Sequence, residues 1–152
     1  MIKKRSTIYP KWLDVPHTHS PKAYMCSETS KAMYDAYKGI LTNPLNVECE
    51  AFEVMEECMT PFDCKIKGDG TLKDLVELIN LDEPIMVRIV PEGQEERHTV
   101  VVVGYSASAI WVNDPDRPKG KQPIRNHKFL DMWDKTGRLY LDCSPDRKLM
   151  EE

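Results

Sequence analysis

The sequence predicts an α+β domain in which an N-terminal helical half packs on a C-terminal antiparallel sheet. Apolar residues recur at three- and four-residue steps between about residues 26 and 80, which is the spacing of one helix face. From residue 84 the pattern changes to short runs of β-branched residues separated by turns. Because helices come first and strands follow, the α+β class is favoured. We expect one domain over residues 1–152, since a single domain typically has about 100–200 residues.

The composition is that of an ordinary folded protein. Of the residues, 41% are hydrophobic and 30% are charged, which argues against wholesale disorder. The formal net charge of −4 gives no basic excess, so we expect no nucleic-acid partner. The longest mostly apolar stretch, residues 99–105, is far shorter than the roughly 20 residues that span a bilayer, so no membrane partner is expected either.

The first 25 residues are predicted to form an extended arm that leads into a helix. Three prolines interrupt residues 1–25, and they show no helical period. The basic start at residues 1–5 is not followed by an apolar core, so we expect no secretion signal in this chain. The helix is predicted over about residues 26–41, with capping residues at 27–29 and a stop at Gly39.

Two more helices are predicted before the sheet. Apolar residues recur at helical spacing over about residues 46–59, and Pro61 ends this pattern. A glycine-rich turn then leads to a third amphipathic segment over residues 72–79, with Thr71 or Asp69 as its cap.

The second half of the chain is predicted to form the sheet. Strands are predicted over residues 84–90, 98–105 and 109–113. The last two are expected to pair as a hairpin, because only three residues connect them. A loop rich in Pro, Gly and Lys follows at 114–123, then a short helix around 129–133 and a closing strand at 138–143.

The chain has five cysteines: Cys26, Cys49, Cys58, Cys64 and Cys143. An odd count with irregular spacing favours reduced thiols in a reducing cytoplasm over a secreted disulfide framework. Cys49, Cys58 and Cys143 lie at positions typical of packing, and Cys64 stays undecided. Cys26 differs, because it lies where the arm enters a helix and the helix dipole there favours the nucleophilic thiolate. The alternative for Cys26 is a buried apolar cysteine.

His98 and Asp114 are candidates for a base and the acid that orients it. His98 begins one predicted strand, and Asp114 follows the next. If these strands form a hairpin, both side chains lie at the same end of the sheet. A carboxylate there can hold the imidazole, fix its tautomer and stabilise its cation. A thiol on a helix that faces such a pair is one arrangement for nucleophilic catalysis, although a structural histidine is the alternative.

The segment before Cys26 also carries His17, His19 and Ser20. A zinc site formed with Cys26 is disfavoured, because the paired ligand spacing of structural zinc is missing. We therefore expect no metal, and the relay itself needs no organic cofactor. The alternative role for His19 or Ser20 is to donate a hydrogen bond to an oxyanion.

Three stretches together resemble the papain-like cysteine peptidases of the bacteriocin-processing, double-glycine-cleaving type and their free-standing bacterial effector relatives. The stretches are Val15 to Gly39 around Cys26, Gly70 to Ile89, and His98 to Pro115 with Phe129 and Trp133 downstream. The most specific part is His98-Thr-Val-Val-Val-Val-Gly-Tyr105 with the Asn113-Asp114-Pro115 that follows the next strand. The resemblance covers about residues 12–135 and implies a papain-like fold.

The resemblance implies Cys26 as nucleophile, His98 as general base and acid, and Asp114 as the orienting residue. The family's glutamine, about six residues before the cysteine, is replaced here by Ser20 beside His19. The resemblance therefore implies that one of these two donates to the oxyanion, together with the Cys26 amide.

The activity implied is that of a cysteine endopeptidase, which forms a thioester with a protein substrate at a small-residue or double-glycine site. Trp111 and Trp133 are candidate cleft walls, with core burial as the alternative. The free-standing relatives imply a bacterial effector or interbacterial toxin, delivered to a cytoplasm by a secretion system, with an inhibitor or immunity protein over the cleft.

Two other functions stay open. A deamidase, transglutaminase or cell-wall amidase would use the same relay. A peptide-binding pseudoenzyme is suggested by Ser27-Glu28, which replace the family's Gly-Pro after the cysteine, and by the missing glutamine.

Overall fold

The structure of the chain is a computed structural model that describes residues 10–47, 49, 51–59 and 61–144. Its helices are α1 (Cys26–Tyr37), α2 (Met55–Cys58), α3 (Leu72–Asn80) and α4 (Asn126–Asp134). Its strands are β1 (Lys11–Trp12), β2 (Lys65–Lys67), β3 (Ile85–Ile89), β4 (His98–Tyr105), β5 (Ala109–Asn113), β6 (Gln122–Arg125) and β7 (Tyr140–Asp142). Two short 3₁₀ helices cover Pro44–Asn46 and Phe52–Val54.

The strands form one antiparallel sheet in the order β2-β7-β3-β4-β5-β6. Strand β4 lies at its centre, with β3 along its first half and β1 along its end. Every residue of β4 is buried, so both faces of this strand are covered. At Gly104 a Cβ would lie 2.5 Å from the Trp12 ring, so only glycine lets β1 approach this closely.

The helices that position the candidate site pack directly on this central part of the sheet. Helix α1 contacts β3 and β4, and α4 contacts β3, β5 and β6. Helix α3 begins with the predicted cap, since Thr71 and Asp74 form a reciprocal capping box. The predicted α+β class, with helices packed on a large antiparallel sheet, is confirmed.

The helix predicted over residues 46–59 is wrong. The described residues of this segment form 3₁₀ turns and only the four-residue α2; residues 48 and 50 lie outside the described residues. A disulfide joins Cys49 to Cys58, with their Cα atoms 5.9 Å apart. Residues nine apart in a continuous helix are separated by about 13.5 Å, so the bond and the helix exclude each other.

Three strands at the margins of the sheet, β1, β2 and β6, were not predicted from the sequence. Strand β6 falls partly within the predicted loop at 114–123, and its Pro123 is tolerated because β6 is an edge strand. Strands β1 and β2 have only two and three residues, too few for a period to show.

The expectation of five reduced thiols is also wrong. Cys49 is bonded to Cys58 and Cys64 to Cys143, and all five cysteines lie among the described residues. An odd count is equally compatible with two bonds and one free thiol, and Cys26 is the one that stays free.

Among the residues that the structure describes, α1 is the longest helix with 12 residues, and no helical segment combines the length and apolar content of a membrane span.

Candidate active site

Cys26 is the first residue of α1 and lies at a sharp entry into this helix. Two residues before it, Tyr24 is 84% exposed and has a φ of +63°, in the left-handed region that favours glycine. The N-cap position is Met25, and no side chain caps the helix there. The predicted caps at residues 27–29 instead lie buried in the first turn. The positive end of α1 therefore acts on Cys26 without a competing cap.

His98 and Asp114 meet at one end of the sheet, as the predicted hairpin requires. Val101 pairs with Asn113, which brings the start of β4 beside the residue after β5. The Nε2 atom of His98 lies 2.6 Å from Oδ1 of Asp114. This carboxylate oxygen also accepts the backbone N–H of Asp116 at 2.9 Å. The imidazole is thereby fixed in orientation, and Nδ1 is the ring nitrogen that remains for another partner.

That partner is the thiol of Cys26. Burial disfavours the ionised thiol. This effect is outweighed by hydrogen bonds with the His98 side chain and the Thr99 backbone, and by the charges of His98 and Arg88. Together they lower the pKa of Cys26 to about 7. Burial also disfavours the imidazolium. The hydrogen bonds and charges of Asp114 and Cys26 nevertheless raise the pKa of His98 to about 10. The pair therefore favours a thiolate beside an imidazolium between these two values.

The carboxyl group of Asp114 stays ionised in this arrangement. Its burial alone would favour the neutral acid, yet the hydrogen bond and charge of His98 lower the pKa of Asp114. Three side chains from separate parts of the chain thus form a continuous thiol–imidazole–carboxylate series.

Sequence reasoning missed Arg88, which also reaches this thiol. Its Nη1 atom lies 3.9 Å from Sγ of Cys26 and donates to Oγ1 of Thr99 at 2.8 Å. Arg88 is paired with Thr99 across the β3–β4 ladder, one register step from His98. The available signal was a single cation within the otherwise apolar run of β3.

The two predicted oxyanion residues lie before α1. The backbone N–H of Ser20 donates to the carbonyl of Pro115 at 2.8 Å, and its hydroxyl donates to Oγ1 of Thr29 at 3.2 Å. Ser20 therefore ties the arm to the loop after β5 and to the first turn of α1. His19 is exposed.

Trp133 does not line a cleft. It is fully buried in the core against Phe129 and Tyr140, and its ring N–H donates to the carbonyl of Leu139. The core alternative is the correct one for this residue. Trp111 is half-buried and packs edge to face on Trp12.

A polar cavity of about 690 Å³ opens on the side of Asp114. Its lining includes Ile89 from β3, Arg117 from the loop after β5 and His127 from α4. Of the thiol, imidazole and carboxylate groups, only Asp114 lines this depression.

Within the described residues, the atoms of His98, Asp114 and Asp116 lie within 4.8 Å of one another, the only such cluster of potential metal-binding groups. The short His98–Asp114 hydrogen bond explains this cluster without an ion. His17, which was considered as a zinc ligand with Cys26, hydrogen-bonds the backbone carbonyl of Arg117.

The sequence profile of the Peptidase_C39 like family matches residues 49–141, which is more than half of the chain. The chain belongs to this family. The matched segment contains His98 and Asp114 but begins after Cys26, so the position of the thiol comes from the structure. No curated protein matches the chain.

Solved structures of C39-like peptidases share the fold at low sequence identity. A C39-like peptidase from Bacillus anthracis superimposes with a TM-score of 0.72 at 14% identity, covering 88% of this chain and 96% of that one. The peptidase domain of Streptococcus ComA, a bifunctional ABC transporter involved in quorum sensing, gives 0.66 at 14% identity, with 84% and 96% covered. A double-glycine-motif protease from an AMS/PCAT transporter, in complex with its leader peptide, gives 0.56 at 20% identity, with 86% and 91% covered. The predicted papain-like fold and the resemblance to double-glycine peptidases are confirmed.

Proposed function

We propose that the protein is a cysteine endopeptidase in which Cys26 is the nucleophile, His98 the general base and acid, and Asp114 the orienting residue. One observation carries the proposal. The single free thiol of the chain hydrogen-bonds an imidazole whose other ring nitrogen is held at 2.6 Å by a carboxylate. Membership of the C39-like family supports peptide hydrolysis as the reaction of this arrangement.

The first half-reaction forms a thioester. The Cys26 sulfur attacks the carbonyl carbon, and the π electron pair of the carbonyl moves to its oxygen. The backbone N–H of Cys26, at the positive end of α1, stabilises this oxyanion, with Ser20 or His19 as the predicted second donor. In this role the Ser20 hydroxyl exchanges its bond to Oγ1 of Thr29 for one to the oxyanion. As the C–N bond breaks, His98 gives its proton to the leaving amine.

The second half-reaction releases the acid. His98 takes a proton from water, the resulting hydroxide attacks the thioester carbonyl, and the C–S bond breaks to return the thiolate. Asp114 keeps the imidazole in place through both proton transfers. Because His98 protonates the leaving amine, the C-terminal product leaves on the His98 side.

The substrate that we propose is a protein segment with small residues at the scissile bond. The double-glycine-motif protease among the similar structures supports this choice. The predicted effector or toxin role and the inhibitor over the cleft remain predictions from the resemblance. The two disulfides favour folding in an oxidising compartment, in place of the reducing cytoplasm that the cysteine count suggested.

The test is cleavage of a proteome-derived peptide library by the wild type and by Cys26→Ala, with new N-termini identified by mass spectrometry. We expect fragments from the wild type only, cut after small residues. A gain of about one dalton without fragments would instead support a deamidase that uses the same relay. Peptide binding with neither change would support the pseudoenzyme and overturn the proposal.

A further inference from the structure

Arg88 carries a charge for which the described residues provide no carboxylate. Its guanidinium lies in a half-buried setting, and its Nε is buried without a hydrogen-bond partner. Each ion pair found in the described part of the chain involves other cations. Burying a cation without an anion is costly, so a partner of another kind is expected.

The anion within reach is the sulfur of Cys26. Thr99 fixes the guanidinium by accepting from Nη1 at 2.8 Å, and this nitrogen lies 3.9 Å from Sγ. The backbone of Arg88 is fixed too, because its carbonyl accepts the hydroxyl of Thr136 at 2.7 Å and its N–H donates to Leu139 at 3.1 Å. The charge is therefore held in place before any substrate arrives.

The groups that face Cys26 come from several elements. Helix α1 packs on β3, β4 and the 3₁₀ turn at 44–46. Strand β3 contributes Arg88, β4 contributes His98, and the turn has no ionisable residue. Asp114 and Asp116 act through His98, and Glu28 is the buried acid on α1 itself. Arg88 is thus the one permanent cation of this group in contact with the sulfur.

We propose that Arg88 is a second counter-charge for the Cys26 thiolate, beside the imidazolium of His98. This inference rests on the proposed function. The sulfur bears negative charge at two points, when it attacks the peptide carbonyl and when the C–S bond of the thioester breaks. A guanidinium carries a permanent positive charge, so Arg88 presents this charge to the sulfur at both points. It stabilises the sulfur both as attacking thiolate and as leaving group when the C–S bond breaks.

The test is the rate of Cys26 alkylation by iodoacetamide as a function of pH, measured on the unreduced protein by intact mass. In Arg88→Met the inflection, near 7 in the wild type, should move up by about one pH unit, so that alkylation below it slows about tenfold. Arg88→Lys should restore part of the shift because it keeps the charge. Arg97→Met removes an exposed arginine next to His98 and should leave the inflection in place.

A second variant, Thr99→Val, tests the same proposal if Arg88→Met does not fold. Thr99→Val removes the oxygen that holds the guanidinium but keeps the side-chain volume, and it should shift the inflection in the same direction. A folded Arg88→Met or Thr99→Val with the wild-type profile would overturn the role of Arg88. A wild-type inflection near the ordinary thiol value of about 8.5 would overturn the proposed function itself.

Discussion

Charged groups are buried at both ends of α1, but the groups that pair with the cations differ between the two ends. From the middle of the helix to its C-terminal cap, Lys31 contacts Asp35 at 2.5 Å, Lys38 contacts Glu83, and the hydroxyl of Tyr34 donates to Glu83 at 2.9 Å. Each cation there has a carboxylate. Burial, together with the nearby charge of Glu83, also raises the pKa of Tyr34.

At the N-terminal end the cations face a thiol instead. Arg88 and His98 approach Cys26, and the carboxylate of Asp114 reaches only the far side of the imidazole. The difference shows how one helix serves two purposes. Ion pairs neutralise the cations along the rest of the helix, and Glu83 ties its C-terminal end to the segment that precedes β3. An excess of positive charge at its first residue instead favours an anionic sulfur.

The largest effect is expected for Asp114→Asn. An amide cannot hold the imidazolium by charge, so peptide cleavage should fall by about 10²–10⁴-fold while the fold persists. The matched control is Asp116→Asn, since Asp116 lies 3.7 Å from the same nitrogen and its side chain is 64% exposed. Initial rates on a cleaved library peptide should change less than about threefold for this control. Equal losses for both variants would contradict the role of Asp114.

The pH dependence of cleavage should be bell-shaped. The thiolate forms as the pH rises through the pKa of Cys26, near 7, and the imidazolium is lost as it rises through that of His98, near 10. Activity should therefore increase across the first value and decline across the second, in kcat/KM measured with one peptide. A maximum on the acid side of the Cys26 value would be incompatible with the thiolate–imidazolium pair.

Glu83→Gln should destabilise the C-terminal end of α1 without affecting the thiol at its N-terminal end. It leaves the half-buried Lys38 and the Tyr34 hydroxyl without their acceptor charge, so urea unfolding should show a loss of about 1–3 kcal/mol. Alkylation of Cys26 should keep its pH profile. Glu77→Gln, in a surface pair with Lys73 at 3.8 Å, should cost less than about 1 kcal/mol. A shifted alkylation profile in Glu83→Gln would show that the two ends are coupled.

The smallest effect concerns the other cysteines. Because four of the five are paired, the unreduced protein should take up one alkyl group even when denatured, and the reduced protein five. Intact-mass spectrometry counts these groups. Uptake of five groups by the denatured protein without reductant would show that all five cysteines are reduced, and would contradict the two disulfides.

The central part of the site could be predicted from the sequence because it depends on local pattern. The β-branched run of β4 and its short connection to β5 fixed the hairpin, and the hairpin alone brings His98 to Asp114. The entry of α1 could be inferred from the change of pattern at Cys26.

The failures have a common cause in tertiary contacts that no periodic pattern of the sequence encodes. The Cys49–Cys58 bond overrides a helical pattern, and nothing in the spacing of the cysteines reveals it. Arg88 reaches the thiol only across the β3–β4 ladder, so strand periodicity cannot assign it. Trp133 and Trp111 are equally apolar in the sequence, and only packing distinguishes the buried ring from the half-buried one.

The imidazole of His98 offers the most direct test of the proposed relay. An NMR titration of the ¹⁵N-labelled ring, assigned among the 4 histidines with a His98→Gln variant, reports its protonation without any substrate. We expect His98 to stay cationic through neutral pH and to titrate near 10, and to titrate lower in Cys26→Ala, where the thiolate is gone. Titration near the ordinary value of about 6.5 in the wild type, unchanged in Cys26→Ala, would contradict the thiolate–imidazolium pair.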